Sequence, residues 1–304
     1  MTRIIGFDEG EAALDWLTLA DAIEAGHALP KAEITDGFLY RGADTLLNRS
    51  AWIDGLGVLV KAATIYPANP DHGLPSINGA VTLFDDADGT LAALVDFHLV
   101  TKWKTAGDSL LAARRLARAD SRNILIVGAG TVAQSLVQAY RALFPTAAIT
   151  IWNRTGARAK ALAEATGIAV ADDLETAVRA ADIVTSATMS TDPVIKGDWL
   201  TPGTHVDLIG AYRPDMREVD DTALRAARLF VDARDTTLGH IGELKDPLAR
   251  GVIAPSDVIA DYYDGPKTMT RQSDDEITLF KNGGGAHLDL MVTRHILDAV
   301  SARV

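Results

Sequence analysis

Residues 123–133, Asn-Ile-Leu-Ile-Val-Gly-Ala-Gly-Thr-Val-Ala, constrain this chain more than any other stretch. The unbroken apolar run Ile124 to Val127 suits a strand covered on both faces, and it leads directly into Gly128-Ala129-Gly130. Gly128 permits a tight turn, Gly130 lets backbone approach a diphosphate, and Ala133 lets the following helix lie close on the strand. That helix, opening at Thr131 and Val132, presents free N–H groups and positive potential to phosphate. A second strand, residues 148–152, ends about 25 residues on, so the pattern reads as a dinucleotide site rather than a purely structural turn.

The end of that second strand bears on which dinucleotide. An NAD site usually places an acid there for the ribose hydroxyls, whereas this chain has Asn153-Arg154-Thr155, with Arg158 a turn further. A guanidinium and a hydroxyl suit a 2'-phosphate, so NADP(H) is the preferred cofactor and NAD(H) a possible one. The alternative is that Arg154 only covers the sheet edge.

From Asn123 onward, short apolar runs at 168–170, 183–185, 206–209, 229–231 and 277–280 alternate with helical segments, as in a doubly wound parallel sheet of Rossmann type. Before it, residues 34–97 read as a mainly antiparallel meander with strands at 37–40, 58–66, 79–84 and 90–95, the last two joined by a hairpin loop at Asp85 to Gly89. Residues 1–26 read as an amphipathic helix and 101–118 as another. The fold class is therefore α/β, a Rossmann-type domain plus an α+β N-terminal domain. The expected division is 1–118 with about 286–304, returning through a last helix at 286–300, and 119–285 for the cofactor domain, which suits 304 residues.

A net charge of -12 without a basic patch argues against nucleic acid and anionic membranes as partners. There is no cysteine, which removes thiolate chemistry and disulfides and fits a reducing compartment. The acidic N-terminal stretch does not resemble a signal peptide, and no window reaches the roughly 20 apolar residues of a membrane span, so the expected location is cytoplasmic. No His pair has metal-ligand spacing, and no metal is expected.

In open parallel sheets ligands lie beyond the carboxyl ends of the strands. The loops to search are Ser186-Ala187-Thr188-Met189, Gly210-Ala211-Tyr212-Arg213, 232–235 and Asn282-Gly283-Gly284-Gly285. The triple glycine admits a flat ring, or serves as a hinge. In the first domain Lys61 interrupts the apolar run Val58-Leu59-Val60, where an ammonium needs a reason. Partly desolvated, it can donate a proton near neutral pH or bind a carboxylate; on an edge strand it would simply reach water. Arg41, Lys102 and Lys104 are further cations near the inferred cleft. Lys102 and Lys104 lie two apart on a helix and cannot both face one ligand. His287 and Asp289 beside the triple glycine contact ligand, or cap and cover a helix start.

These segments, taken in order, resemble the ornithine cyclodeaminase/mu-crystallin family. The similarity runs from about Gly37 onward through Lys61-Ala-Ala-Thr-Ile-Tyr-Pro-Ala-Asn-Pro70, Gly79 to Phe84, Thr101-Lys-Trp-Lys104-Thr105-Ala106, the glycine turn, and Ile209-Gly-Ala-Tyr212-Arg-Pro-Asp-Met-Arg-Glu218. The resemblance implies a homodimer joined through the N-terminal sheets, a nicotinamide cofactor in the Rossmann domain, and amino acids or their imines as substrates. It assigns Lys61 as the active-site lysine, Arg41 as a substrate-carboxylate arginine, and Thr105 as a cofactor contact. Cyclodeaminases carry an arginine at position 104 and, at position 212, an aspartate thought to engage the substrate amine. Tyr212 and the Trp152-Asn153-Arg154-Thr155 stretch are more similar to the ketimine-reductase branch. The expected activity is reduction of a small 2-imino acid, cyclic or open-chain, to the L-amino acid, or the reverse. In it Lys61 acts on the nitrogen, Arg41 and Lys104 hold the carboxylate, and Tyr212 lies beside the substrate. The competing expectations are a cyclodeaminase and a mu-crystallin-type ligand-binding protein.

Overall fold

The computed structural model describes residues 2–303. In chain order the elements are β1 (Arg3–Ile5), α1 (Phe7–Ala13), α2 (Trp16–His27), β2 (Glu33–Arg41), β3 (Asp44–Ile53), β4 (Gly57–Ile65), β5 (Ile77–Phe84), β6 (Leu91–Asp96) and α3 (Phe97–Leu116). They continue with β7 (Asn123–Val127), α4 (Thr131–Leu143), β8 (Ala148–Trp152), α5 (Gly156–Thr166), β9 (Ala169–Val170), α6 (Leu174–Ala180), β10 (Ile183–Ser186) and β11 (His205–Leu208). The last are α7 (Asp221–Ala226), β12 (Arg228–Val231), α8 (Arg234–Thr237), α9 (Gly242–Ala249), β13 (Val258–Ala260), β14 (Thr278–Lys281) and α10 (Ala286–Ser301).

The chain divides into two units, residues 1–104 with 285–304, and residues 105–284. They part inside α3, not at the end of the helix near residue 118. The reason lies in the second half of α3, where Ser109 Oγ donates to Asp207 of β11 at 3.0 Å, fastening this half to the parallel sheet.

The first unit is a six-stranded sheet in the order β1-β6-β5-β4-β3-β2. All its pairs are antiparallel except β1 on β6, so the sheet is mixed. Along β4 buried and half-buried residues alternate, which gives the strand one core face. Helix α10 packs over β2 to β5 and against α1 and α2. Two expectations are corrected here. The stretch expected as one helix over 1–26 instead forms, from Arg3 on, a strand and two helices, broken where Asp15 caps α2 by accepting from the amides of Leu17 and Thr18. Strand β3 goes unanticipated because Asn48, Arg49 and Ser50 interrupt its apolar pattern.

The second unit is an eight-stranded, wholly parallel sheet in the order β13-β12-β14-β11-β10-β7-β8-β9. Its strands are short apolar runs because both faces are covered: Leu125, Val127, Val184, Val206, Leu208, Leu229 and Leu279 all sit in one buried cluster. The order reverses direction between β7 and β10, the switch point where open α/β sheets bind ligands.

Candidate functional site

In the second unit the glycine turn has the geometry a diphosphate requires. Gly128 adopts φ +109°, and a side chain there would also strike the carbonyl of Ala187 at 2.7 Å. Gly130 is different: its backbone is extended, and a Cβ would meet no protein atom within 4 Å. What a larger residue would fill is space outside the protein. Gly130 caps α4 without a side-chain partner for the first-turn amides, among them those of Thr131 and Val132, and Ala133 is buried against the strand. Open space against free N–H groups fits a bound dinucleotide.

At the end of β8, Asn153 Nδ2 donates to the carbonyl of Thr155 at 2.9 Å, closing a turn. Arg154 and Arg158 are exposed, and neither makes an ion pair among the described residues.

The loops after β10 and β11 are joined by a residue that sequence reasoning missed as a site residue. Glu218 is wholly buried. Its Oε1 accepts from Ser186 Oγ (2.6 Å), Thr188 N (2.7 Å) and Thr188 Oγ1 (2.9 Å), and its Oε2 from Gly210 N (2.6 Å) and Ala211 N (3.2 Å). Glu243 accepts in turn from the amides of Glu218 and Val219, and its pKa is pushed up by burial and by the Glu218 carboxylate. Gly210 is required because a side chain there would collide with Thr188 backbone. Tyr212 stands 55% exposed on this loop, with the Arg213 guanidinium over its ring.

Within the triple glycine, Gly283 has a packing reason and Gly284 a backbone one, φ +65°. A Cβ on Gly283 would meet Thr237 Oγ1 at 2.3 Å, and Gly284 N donates to Asp232 Oδ2 at 2.6 Å. The Asn282 side chain donates to the carbonyl of Thr105 at 3.0 Å, fixing the start of this unit's portion of α3.

In the first unit, Lys61 lies in the middle of the sheet on β4 and is 5% exposed, so it is no edge lysine reaching water. Its Nζ donates to Asp289 Oδ1 and to Thr101 Oγ1, each at 2.9 Å, and lies 4.7 Å from the centre of the Phe97 ring. Burial lowers its pKa to about 8 against the pull of Asp289, with Lys104 and Arg49 adding to the depression. Asp289 is completely buried in the first turn of α10, so it neither caps the helix nor faces water. Burial alone would raise its pKa, but Lys61, Lys104 and Arg49 outweigh that and hold it at about 2. His287, also buried, is pushed down to about 3 by burial and by Lys104 and stays neutral.

Lys104 reaches the same cluster. It is 8% exposed, yet its ammonium makes no hydrogen bond or ion pair among the described residues. Lys102, two residues away, turns elsewhere and pairs with Glu11. Arg41 is not brought to this cluster: it sits at the tip of the β2–β3 hairpin, 77% exposed, paired with Asp44 at 2.9 Å. The arginine beside Lys61 is Arg49, its direct partner across β3 and β4.

Residues 54–303 match the ornithine cyclodeaminase/mu-crystallin family. The chain belongs to that family. It is 50% identical over 302 residues to a Delta(1)-pyrroline-2-carboxylate reductase of Paracoccus denitrificans, covering 97% of this chain and 96% of the relative. It is 31% identical to ketimine reductase mu-crystallin of Mus musculus, over 80% of this chain and 76% of that one. Among solved structures, an archaeal alanine dehydrogenase dimer with bound NAD superposes with a TM-score of 0.89 at 28% identity, over 99% and 97% of the two chains. A Thermococcus litoralis Delta(1)-pyrroline-2-carboxylate reductase in complex with NADH and L-proline has the same fold, with a TM-score of 0.88 at 24% identity over 99% and 98%. No described helix is long and apolar enough to cross a membrane.

Proposed function

We propose that this chain is a cytoplasmic NAD(P)H-dependent reductase that converts a small 2-imino acid to the L-amino acid, with 1-pyrroline-2-carboxylate the first substrate to test. The observation that carries this reading is the buried Lys61–Asp289 pair beside the Lys104 ammonium, which has no hydrogen-bond or ion-pair partner among the described residues. Half identity to a relative named for pyrroline-2-carboxylate reduction supports it.

Reduction of C=N needs a hydride at carbon and a proton at nitrogen. The reduced nicotinamide, when bound, supplies the hydride. Lys61 supplies the proton: a pKa near 8 leaves it charged at neutral pH while making that proton easier to release than from an exposed lysine. Asp289 keeps the ammonium charged and aimed. Lys104 takes the substrate carboxylate as a point charge. Tyr212 stands beside the substrate on the loop that Glu218 fastens. Gly128, Gly130, Thr131 and Val132 hold the diphosphate. Ser186, Ala187, Thr188, Gly210, Thr105, Gly283 and Gly284 form the wall for the nicotinamide half. Asn153, Arg154, Thr155 and Arg158 receive a 2'-phosphate, which makes NADP(H) the preferred nucleotide and NAD(H) an acceptable one. On this reading the first unit binds substrate and the second binds nucleotide.

We also propose a homodimer. Every residue of the edge strand β2 is exposed, including Ile34, Phe38, Leu39 and Tyr40, with Trp52 beside them on β3. An apolar, unpaired edge of this kind suits a second copy of the chain.

The deciding experiment follows NADPH and NADH oxidation with 1-pyrroline-2-carboxylate, and in parallel ammonia release from ornithine with NAD+. Oxidation with the imine is the expected outcome. Ammonia release without net nucleotide turnover would replace the reading with a cyclodeaminase, and tight nucleotide binding without turnover on any imine would replace it with a binding protein.

A further inference from the structure

The charges around Asp289 do not balance. Arg49, Lys61 and Lys104 contribute three positive charges, Asp289 and Asp36 contribute two negative ones, and His287 is neutral. Buried charge of one sign in excess is costly unless a counter-charge arrives. A substrate carboxylate would offset the cations gathered on Asp289.

Arg49 is placed to receive it. Paired directly with Lys61 across β3 and β4, and with Asp36 across β2 and β3, its side chain shares a sheet face with the ammonium. It is 18% exposed on its side chain, so it is neither free in water nor sealed in the core. Asp36 grips one edge of the guanidinium, accepting from Nε at 3.2 Å and from Nη2 at 2.7 Å. The rest points toward Asp289, where Nη1 stands 3.7 Å from Oδ2, too far for a hydrogen bond. Among the described residues that Oδ2 has no hydrogen-bond partner. The guanidinium is thus held in orientation with donors to spare, whereas Arg41 lies at an exposed hairpin tip with its own acid.

We propose that Arg49, aimed by Asp36, is the guanidinium that anchors the substrate carboxylate, together with Lys104, in the place expected for Arg41. This inference rests on the imino-acid reading above and names the carboxylate-binding residue of that site. Asp36 is a positioning residue, acting only through Arg49.

The test is a comparison of Arg49→Gln, Arg49→Lys, Asp36→Asn and Arg41→Gln. For Arg49→Gln the KM for 1-pyrroline-2-carboxylate is expected to rise about 10- to 100-fold, with kcat within about threefold and the KM for reduced nucleotide unchanged. Arg49→Lys should recover part of the loss and keeps the charge should the glutamine variant fold poorly. Asp36→Asn should raise the same KM by a smaller factor. A KM unchanged in the Arg49 variants, with the rise appearing in Arg41→Gln, would overturn the proposal. Calorimetry with pyrrole-2-carboxylate, which cannot be reduced in this way, separates the two readings. Binding by the natural chain that is lost in Arg49→Gln supports the anchor even if no imine is turned over, a result that would sink the reductase alone. Turnover with intact pyrrole-2-carboxylate binding in Arg49→Gln would sink the anchor alone.

Discussion

Each unit buries a cluster of charge, and the two clusters are built on opposite terms. In the second unit the carboxylates of Glu218, Glu243, Asp232 and Asp207 surround the buried Lys281, and their oxygens accept from backbone amides and hydroxyls. Burial pushes Asp207 up to about 6, opposed by hydrogen bonds from Thr185, Ser109 and Tyr140. In the first unit's cluster the cations Arg49, Lys61 and Lys104 gather on Asp289, and among the described residues Lys104 makes no hydrogen bond or ion pair and Asp289 Oδ2 no hydrogen bond. A saturated polar network locks loops in place, and an unsaturated one leaves capacity for a ligand. On the proposed reading, the difference separates a cluster that fastens the loops around the nucleotide from a cluster that receives the substrate.

The strongest way to break that contrast is to remove one central residue from each cluster. Lys61→Ala is expected to lower kcat by about 10²- to 10⁴-fold while reduced-nucleotide binding, read by fluorescence, persists. Unchanged turnover would take Lys61 out of the reaction. Glu218→Ala should act mainly on stability, because five donors lose their acceptor. A loss of roughly 3 kcal/mol in urea unfolding is expected, and a loss below about 0.5 kcal/mol would mean that the loops hold without it.

Two smaller effects sharpen the comparison. Arg154→Ala should weaken NADPH binding about tenfold and NADH binding little, since only the former carries the 2'-phosphate. Equal losses in calorimetry would return Arg154 to a mere edge-covering role. The pH profile is subtler. Lys61 must be protonated to donate, so kcat/KM should fall as pH rises through about 8. Asp289 favours the charged form, so Asp289→Asn should move this limb to lower pH by about one unit. A limb that stays in place would show that Lys61 is not the group titrating.

Legibility followed the way each unit hides its residues from water. Strands β7, β8, β10, β11, β12 and β14 were readable within a residue or two, because strands covered on both faces appear as continuous apolar runs. Only the short β13 escaped notice. The mixed sheet was harder: its strands alternate, and β3 carries Asn48-Arg49-Ser50 at its centre, so the strand and the arginine it positions were missed together. Lys61 was visible as a charge within an apolar run. Asp289, 228 residues away, was not, because nothing local distinguishes an acid in a helix's first turn from an ordinary surface residue.

By itself the sequence determined the parallel sheet, its glycine turn and an anomalous lysine, since local apolar runs and a backbone needing no side chain are properties of neighbouring residues. Tertiary structure alone decided which charges meet. Strand register put Arg49 rather than Arg41 beside Lys61, the return of α10 brought Asp289 to the same ammonium, and Glu218 became a fastening only when two strand ends closed around it. Electrostatic interaction depends on distance and burial, which chain order does not encode.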